Sequence, residues 1–328
     1  MRAIAPGRVN LIGDHTDYTG GLVFPMAINR HTVIDARFTD DSSVSLKSAD
    51  EPDAANFSLP MSDIPSLQPQ WARYIAAVAA ECKAIRGITG TVTTDIPIGS
   101  GLSSSAALEV AAALALGFNG SQQDLAKLAQ RAEHVATGVP TGIMDQLCIA
   151  SAKENHAMLI DCSTLEIVHS PIPQACKIVV QFIAHRTLQG SEYANRVHQC
   201  NAAESIIGPL RSATIYMLEQ ITDATIFKRA RHVISENQRV REFAQALASH
   251  ELQHAGKLMN EGHRSLALDF DTSTPAMDKA VDEIQKIPGV YGARMTGGGF
   301  GGCVVALCSH DADVPGWTVS AVGAARLA

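Results

Sequence analysis

No two of the seven cysteines stand in a metal-type CxxC pair, which removes the common cysteine metal motifs. They are odd in number and mostly set in apolar runs, as reduced core thiols of a cytoplasmic protein would be. Positive charge is not in excess. With 26 Lys and Arg against 33 Asp and Glu, the net charge of −7 excludes a general surface for nucleic acid or acidic membrane and leaves room for a local cationic site. No uninterrupted apolar run approaches the length needed to span a bilayer. Strand-like sequence begins within three residues of Met1 without a long apolar h-region, so neither a signal peptide nor a membrane anchor is expected. No internal repeat is evident.

What is present is the composition of a well-packed folded chain, 46% hydrophobic and 18% charged. Its 328 residues exceed one ordinary core and suit two domains, and the prolines between 171 and 177 mark a border that divides them as 1–172 and 173–328. Residues 22–38 and 44–48 read as strands, and 50–70 as a polar, proline-punctuated connection. Trp71, Tyr74, Ile75, Val78, Cys82 and Ile85 have helical spacing, and alternation over 88–96 returns to strand. The alanine-rich stretch 106–117 reads as a buried helix ended by glycine. Ser121 and Asp124 open a further helix with the stripe Leu125, Leu128, Ala129, Ala132, Val135. Residues 178–184 read as a strand, the chain is then largely helical to 290, and a strand, glycine turn and strand span 294–307. This interleaving predicts an α+β protein with helices layered on sheet.

Four segments carry candidate chemistry. The first is Pro6-Gly7-Arg8-Val9-Asn10-Leu11-Ile12-Gly13-Asp14-His15-Thr16-Asp17-Tyr18, an apolar strand running into a polar turn. Arg8 is a permanent multi-donor cation, while Asp14, His15 and Asp17 offer the directional donors and acceptors that a polyhydroxylated ligand requires. Gly20-Gly21 would equally close a plain hairpin. The second is Gly99-Ser100-Gly101-Leu102-Ser103-Ser104-Ser105, between a strand and a helix, where glycines and free amides favour a bound phosphate. It has neither the Gly-Lys-Ser/Thr ending of a Walker A loop nor GxGxxG spacing, and its serines would also serve as simple helix caps. Glu133 falls along the stripe of its helix, where a lone carboxylate is expensive to bury. Either it shares a magnesium ion with a triphosphate or it reaches out to solvent or a basic neighbour. The third segment is Gly142-Ile143-Met144-Asp145-Gln146, a glycine turn that places Asp145 in a first helical turn, as an acid-base candidate or as an ordinary structural aspartate. The fourth, residues 295–303, holds five glycines among the six residues 297–302, a density that marks backbone pressed against a ligand or another segment. Lys228, Arg229, Arg231, Arg239 and Arg241 read as a solvated helix face balanced by Glu236 and Glu242.

These segments, in this order, resemble the GHMP kinases over nearly the whole chain, and residues 8–18 resemble the galactokinase signature of that family. Gln70-Trp71-Ala72-Arg73-Tyr74 is similar to its adenine-pocket segment, and Gly190-Ser191-Glu192-Tyr193 to a sugar-contact segment. The resemblance implies a two-domain α+β fold with the active site in the interdomain cleft. It also implies transfer of the γ-phosphoryl group of ATP to O1 of a sugar, galactose first, by an enzyme that uses Mg²⁺. Asp14, His15, Asp17, Gly142 and Tyr193 would then hold the sugar, and Arg8 and Asp145 would form the catalytic pair. Gly99 to Ser105 would cradle phosphate, Trp71 and Tyr74 would lie near adenine, and Ser105 and Glu133 would bind the metal. Whether Asp145 removes a proton early or mainly orients the hydroxyl stays open.

Two departures stand out. The family usually has glutamate where Asp14 stands, against the hydroxyl on C6, so an arabinose, galacturonate or amino-sugar kinase is the alternative. His185 stands where relatives more often have lysine or arginine near the phosphates. A silent sugar sensor is a third reading, against which Ser104-Ser105-Ala106-Ala107, Arg8 and Asp145 are all intact.

Overall fold

The first strand, β1 (Arg2–Asn10), is buried at every residue from Ala5 onward. Its register against the neighbouring strand shifts between Pro6 and Gly7, a bulge that accommodates the proline's missing donor. Gly7 admits a second backbone, since a Cβ there would lie 2.8 Å from the carbonyl oxygen of Leu102. Arg8, the next residue, therefore emerges beside the serine-rich loop.

The computed structural model describes residues 1–185 and 191–328. After β1 come β2 (Leu22–Val23), β3 (Pro25–Phe38), β4 (Ser43–Ser48), β5 (Ala55–Ser58), α1 (Ala72–Glu81), β6 (Ile88–Thr94), α2 (Ser104–Ala115), α3 (Gln122–Thr137) and α4 (Met144–Ser151). Then follow β7 (His156–Asp161), β8 (Ile167–Pro171), β9 (Lys177–Ala184), α5 (Ser191–Ile207), α6 (Ala224–Ala248), α7 (Leu252–Ser265), α8 (Pro275–Ile284), β10 (Val290–Thr296), β11 (Gly302–Cys308), β12 (Trp317–Val319) and β13 (Arg326–Leu327). Among the described residues the strands form three sheets, ordered β13-β1-β3-β6-β4-β5, β10-β11-β9-β12 and β2-β7-β8. The β4–β6 pair is parallel and the other pairs are antiparallel.

Helix α2 is central because its side chains are small. Ala106, Ala107, Ala111, Ala112, Ala113 and Ala115 are fully buried, which lets β1 and β3 close on one side and α3 on another. A single apolar cluster runs from Ala3 through Val180 and Phe243 to Val305 and Ala321, so both expected halves of the chain share it. The last strand also returns across the expected border: Ala3 of β1 pairs with Leu327 of β13.

The α+β architecture agrees with the sequence reading, and four local expectations change. The helix over 71–85 stops at Glu81, because Lys83 takes a left-handed conformation at φ 52° and turns the chain outward, leaving Ile85 85% exposed. The connection over 50–70 contains β5, which pairs with β4. Val135 is 42% exposed; the buried stripe of α3 continues instead through Glu133 and Ala136. The basic run on α6 is a solvated face only in part: Lys228 and Arg241 are exposed, whereas tertiary partners bury Arg229 and draw Arg231 and Arg239 partly inward. Arg229 is buried and donates to Gln199 Oε1 at 2.8 Å and to the Asp269 carbonyl at 2.6 Å, Arg231 pairs with Asp269, and Glu236 is fully buried.

Candidate active site

Arg8 is buried and grips three parts of the chain. Its Nε and Nη2 donate to Asp145 Oδ1 and Oδ2, each at 2.7 Å, and its Nη1 donates to the Gly101 carbonyl at 2.6 Å. Burial alone would lower the guanidinium's pKa, but the charge and hydrogen bonds of Asp145 outweigh it and hold it above the ordinary value. Asp145 lies in the first turn of α4, as its sequence position predicts. The Ser103 hydroxyl also donates to it. Ser103 therefore does not cap α2 with its side chain; it stands in a left-handed conformation at the N-cap and turns its hydroxyl to Asp145.

Arg8, Asp145, Asp14, His15, Asp17, Gly142 and Tyr193 all line one cavity of about 260 Å³. Gly99, Gly101, Ser103, Ser104, Ser105 and Glu133 complete its other side, with Gly297 and Gly298 closing it. Ser100 and Leu102 of the same loop are buried and are not among the residues that line this cavity. A second cavity of about 310 Å³ is lined by Trp71 and Leu108 and shares Tyr74, Ile98, Ser104 and Ser105 with the first. The Trp71 Nε1 donates to the Asp53 carbonyl at 3.0 Å, which fixes the indole at this wall. Of the segment over 190–193, Gly190 lies outside the described residues, while Tyr193 stacks at 5.5 Å on His15. His185 follows β9, packs at 5.0 Å on Phe182, and is not among the residues that line these two cavities.

Close approach explains two of the glycines. A Cβ at Gly142 would lie 1.9 Å from Asp17 Oδ2, so only glycine allows that carboxylate its place. At Gly297, with φ +80°, a Cβ would lie 3.0 Å from the Gly101 carbonyl oxygen, so the two glycine loops rest on each other. Burial and then the neighbouring Asp145 charge push the Asp17 pKa up to about 7, against an opposing hydrogen bond from the backbone of Tyr18.

Asp14 reaches the cavity wall with its carboxylate already engaged. Oδ2 accepts from Arg294 Nη2 at 2.8 Å, and Oδ1 accepts from the Gly297 amide at 2.8 Å. Burial raises its pKa in spite of the opposing Arg294 charge. Arg294 and Glu236, linked at 2.8 Å, were not singled out by sequence reasoning as site residues; the one available signal was an arginine within an otherwise apolar strand beside the glycine turn.

Glu133 is buried, which excludes the reading in which it reaches out to solvent. Its Oε1 accepts from Ser105 Oγ at 3.0 Å, and its Oε2 accepts from Thr141 Oγ1 at 3.0 Å and Gln146 Nε2 at 2.8 Å. Burial and the Asp145 charge raise its pKa, and these hydrogen bonds oppose the shift. A hydroxyl and a carboxylate side by side on a cavity wall suit a hard cation that takes its remaining ligands from phosphate and water. Among the described residues no group of three or more His, Cys, Asp or Glu could hold a metal by itself.

Family models match residues 1–38 as the galactokinase galactose-binding signature, 72–153 as the GHMP kinases N terminal domain, and 243–315 as the GHMP kinases C terminal. Galactokinase from Bos taurus is 41% identical over 327 residues, 94% of this chain and 83% of that protein. The human protein of the same name is 40% identical over 328 residues, again 94% and 83%. The chain belongs to the galactokinase family. The crystal structure of Lactococcus lactis galactokinase complexed with galactose superposes with a TM-score of 0.93 at 30% identity, covering 99% of this chain and 94% of that one. Mevalonate kinase of Methanococcus jannaschii, at 19% identity and a TM-score of 0.74, shares the fold. No helix among the described residues is long and apolar enough to cross a membrane.

Proposed function

We propose that this chain transfers the γ-phosphoryl group of ATP to O1 of galactose, yielding galactose 1-phosphate and ADP. The observation that carries the reading is the bidentate Arg8–Asp145 pair, set between the polar turn of Asp14, His15 and Asp17 and the loop that ends at Ser105. Catalysis of this kind works mostly by positioning and charge stabilisation. Arg8 holds both Asp145 oxygens and leaves that carboxylate facing the cavity, where it accepts the hydrogen bond, and then the proton, of the attacking hydroxyl. The amides at the start of α2 and the glycine loop would receive the phosphates, and the second cavity beside Trp71 and Tyr74 would receive the base. Ser105 and Glu133 would hold Mg²⁺, whose charge neutralises the phosphates. The halves 1–172 and 173–328 serve as the two domains, with Tyr193 and Gly297 reaching the cavity from the second. Seven free thiols, most of them buried, support a cytoplasmic location.

Asp14 favours a second reading, because a carboxylate already engaged by Arg294 and Gly297 has less to offer a C6 hydroxyl. The test is ADP release with MgATP against galactose, galactosamine, N-acetylgalactosamine, arabinose, galacturonate and glucose. Turnover greatest on galactose supports the first reading. Silence on galactose with turnover on another sugar overturns it in favour of the second.

A further inference from the structure

One side chain beneath the cavity is unusual for its place. Gln146 is 0% exposed and follows Asp145 in the first turn of α4, where the rotation of about 100° per helical residue sends the two side chains in different directions. Asp145 meets Arg8, whereas Gln146 donates from Nε2 to Glu133 Oε2 at 2.8 Å and to Glu109 Oε2 at 3.2 Å. Glu109 is itself fully buried and stands one helical turn after Ser105 on α2. A single uncharged amide thus lies between two buried carboxyl groups and joins α2, α3 and α4 at the end where Ser105 and Glu133 meet.

We propose that Gln146 is a positioning residue that aims Glu133 at Ser105 and so sets the affinity of the divalent-cation site. The inference rests on the reading of Ser105 and Glu133 as the cation's protein ligands. Three donors fix the Glu133 carboxylate: Ser105 on Oε1, and Thr141 with Gln146 on Oε2. Thr141 reaches it from the loop before α4, and Gln146 is the donor among the three that is wholly buried. Without the amide, Oε2 keeps one flexible hydroxyl and faces Glu109 with nothing between, so the carboxylate swings out of its present orientation. A glutamate at 146 would add a third carboxyl group, and an apolar residue supplies no donor. Glutamine meets both requirements, because its amide donates and carries no charge. Residues that orient metal ligands in this way typically change metal affinity by about 10–100-fold when replaced.

The experiment measures calorimetric binding of a non-hydrolysable ATP analogue across a magnesium titration, in the wild-type chain and in Gln146→Met. The expected result is about a tenfold rise in the magnesium concentration at half-maximal effect, with metal-free nucleotide binding and galactose binding within about twofold of wild type. If the single variant does not fold, Glu109→Met/Gln146→Met removes the stranded carboxyl group together with its partner, and the same magnesium shift is expected there. An unchanged magnesium titration in the folded variant overturns the proposal. So does a parallel loss of metal-free nucleotide and galactose binding, which marks a general structural role. If the wild-type chain itself gains no nucleotide affinity from magnesium, the reading of Ser105 and Glu133 fails, and this inference falls with it.

Discussion

Arg294→Met tests the buried network that holds the polar turn in place. The guanidinium is 0% exposed and lies between Asp14 and Glu236 at 2.8 Å each, so its removal leaves two buried carboxyl groups facing an apolar side chain. Breaking a buried pair by removing one partner costs about 3–5 kcal/mol. Glu236 retains the Arg239 Nε at 2.7 Å and the Gly13 amide at 2.9 Å, whereas Asp14 keeps the Gly297 amide at 2.8 Å, so most of the cost falls on Asp14. About 3 kcal/mol is therefore expected near pH 8, a large fraction of a typical folding free energy of about 5–15 kcal/mol.

The loss should also depend on pH. Burial pushes Glu236 upward, but Arg294 and Arg239 overcome it and hold its pKa well below the ordinary value of 4.5, so its stabilisation is present above that value and lost as pH falls. Asp14 behaves oppositely: burial raises its pKa above 3.8, and removal of Arg294 raises it further, so the variant is relieved as Asp14 takes up a proton at lower pH. Glu236 loses its stabilisation only below 4.5, so between pH 8 and pH 5 the Asp14 term alone shrinks the difference between wild type and variant. Equilibrium urea unfolding at pH 8 and pH 5 should show a clearly smaller difference at pH 5. A loss under 1 kcal/mol at pH 8, or a greater one at pH 5, would refute the reasoning.

Asp145→Ala should lower kcat by about 100-fold or more while changing the KM for ATP by less than about threefold, as steady-state kinetics will report; equal effects on both would contradict its placement against the acceptor hydroxyl. Because Asp17 titrates at about 7, kcat/KM for galactose should rise with pH through that value as the group becomes a pure acceptor, and Asp17→Asn should flatten this step in a pH–rate profile. The same group, protonating more readily folded than unfolded, should lower stability as pH rises from 3.8 to about 7, and chemical unfolding of Asp17→Asn should show that slope reduced. Gly142→Ala places a Cβ 1.9 Å from Asp17 Oδ2 and should raise the galactose KM at least about tenfold with the nucleotide KM unchanged; a normal sugar KM would show that Asp17 can move aside without loss.

Much of the candidate site's cavity lining was legible because its signals are local. An apolar strand that runs into Asp14, His15 and Asp17, a glycine-serine loop before an alanine-rich helix, and an aspartate one residue into a helix are each written within a dozen consecutive residues. Backbone sterics and periodicity act over that range, so the elements and their polar ends follow from the residues themselves. Periodicity also placed Glu133 on a buried stripe, while the neighbouring Val135 was assigned to the wrong side of it.

The partners of the buried charges were decided only by the tertiary structure. Arg294 and Asp14 are 280 positions apart, Arg8 and Asp145 are 137 apart, and Gln146 reaches Glu109 across 37. Nothing in the local pattern distinguishes an arginine destined for solvent from one destined for the interior, which is why Arg229 read as part of the same surface as the exposed Lys228 and Arg241. The sign of each charge was visible in the sequence. Whether it would be desolvated, and against which opposite charge, depended on which helices and sheets closed over it.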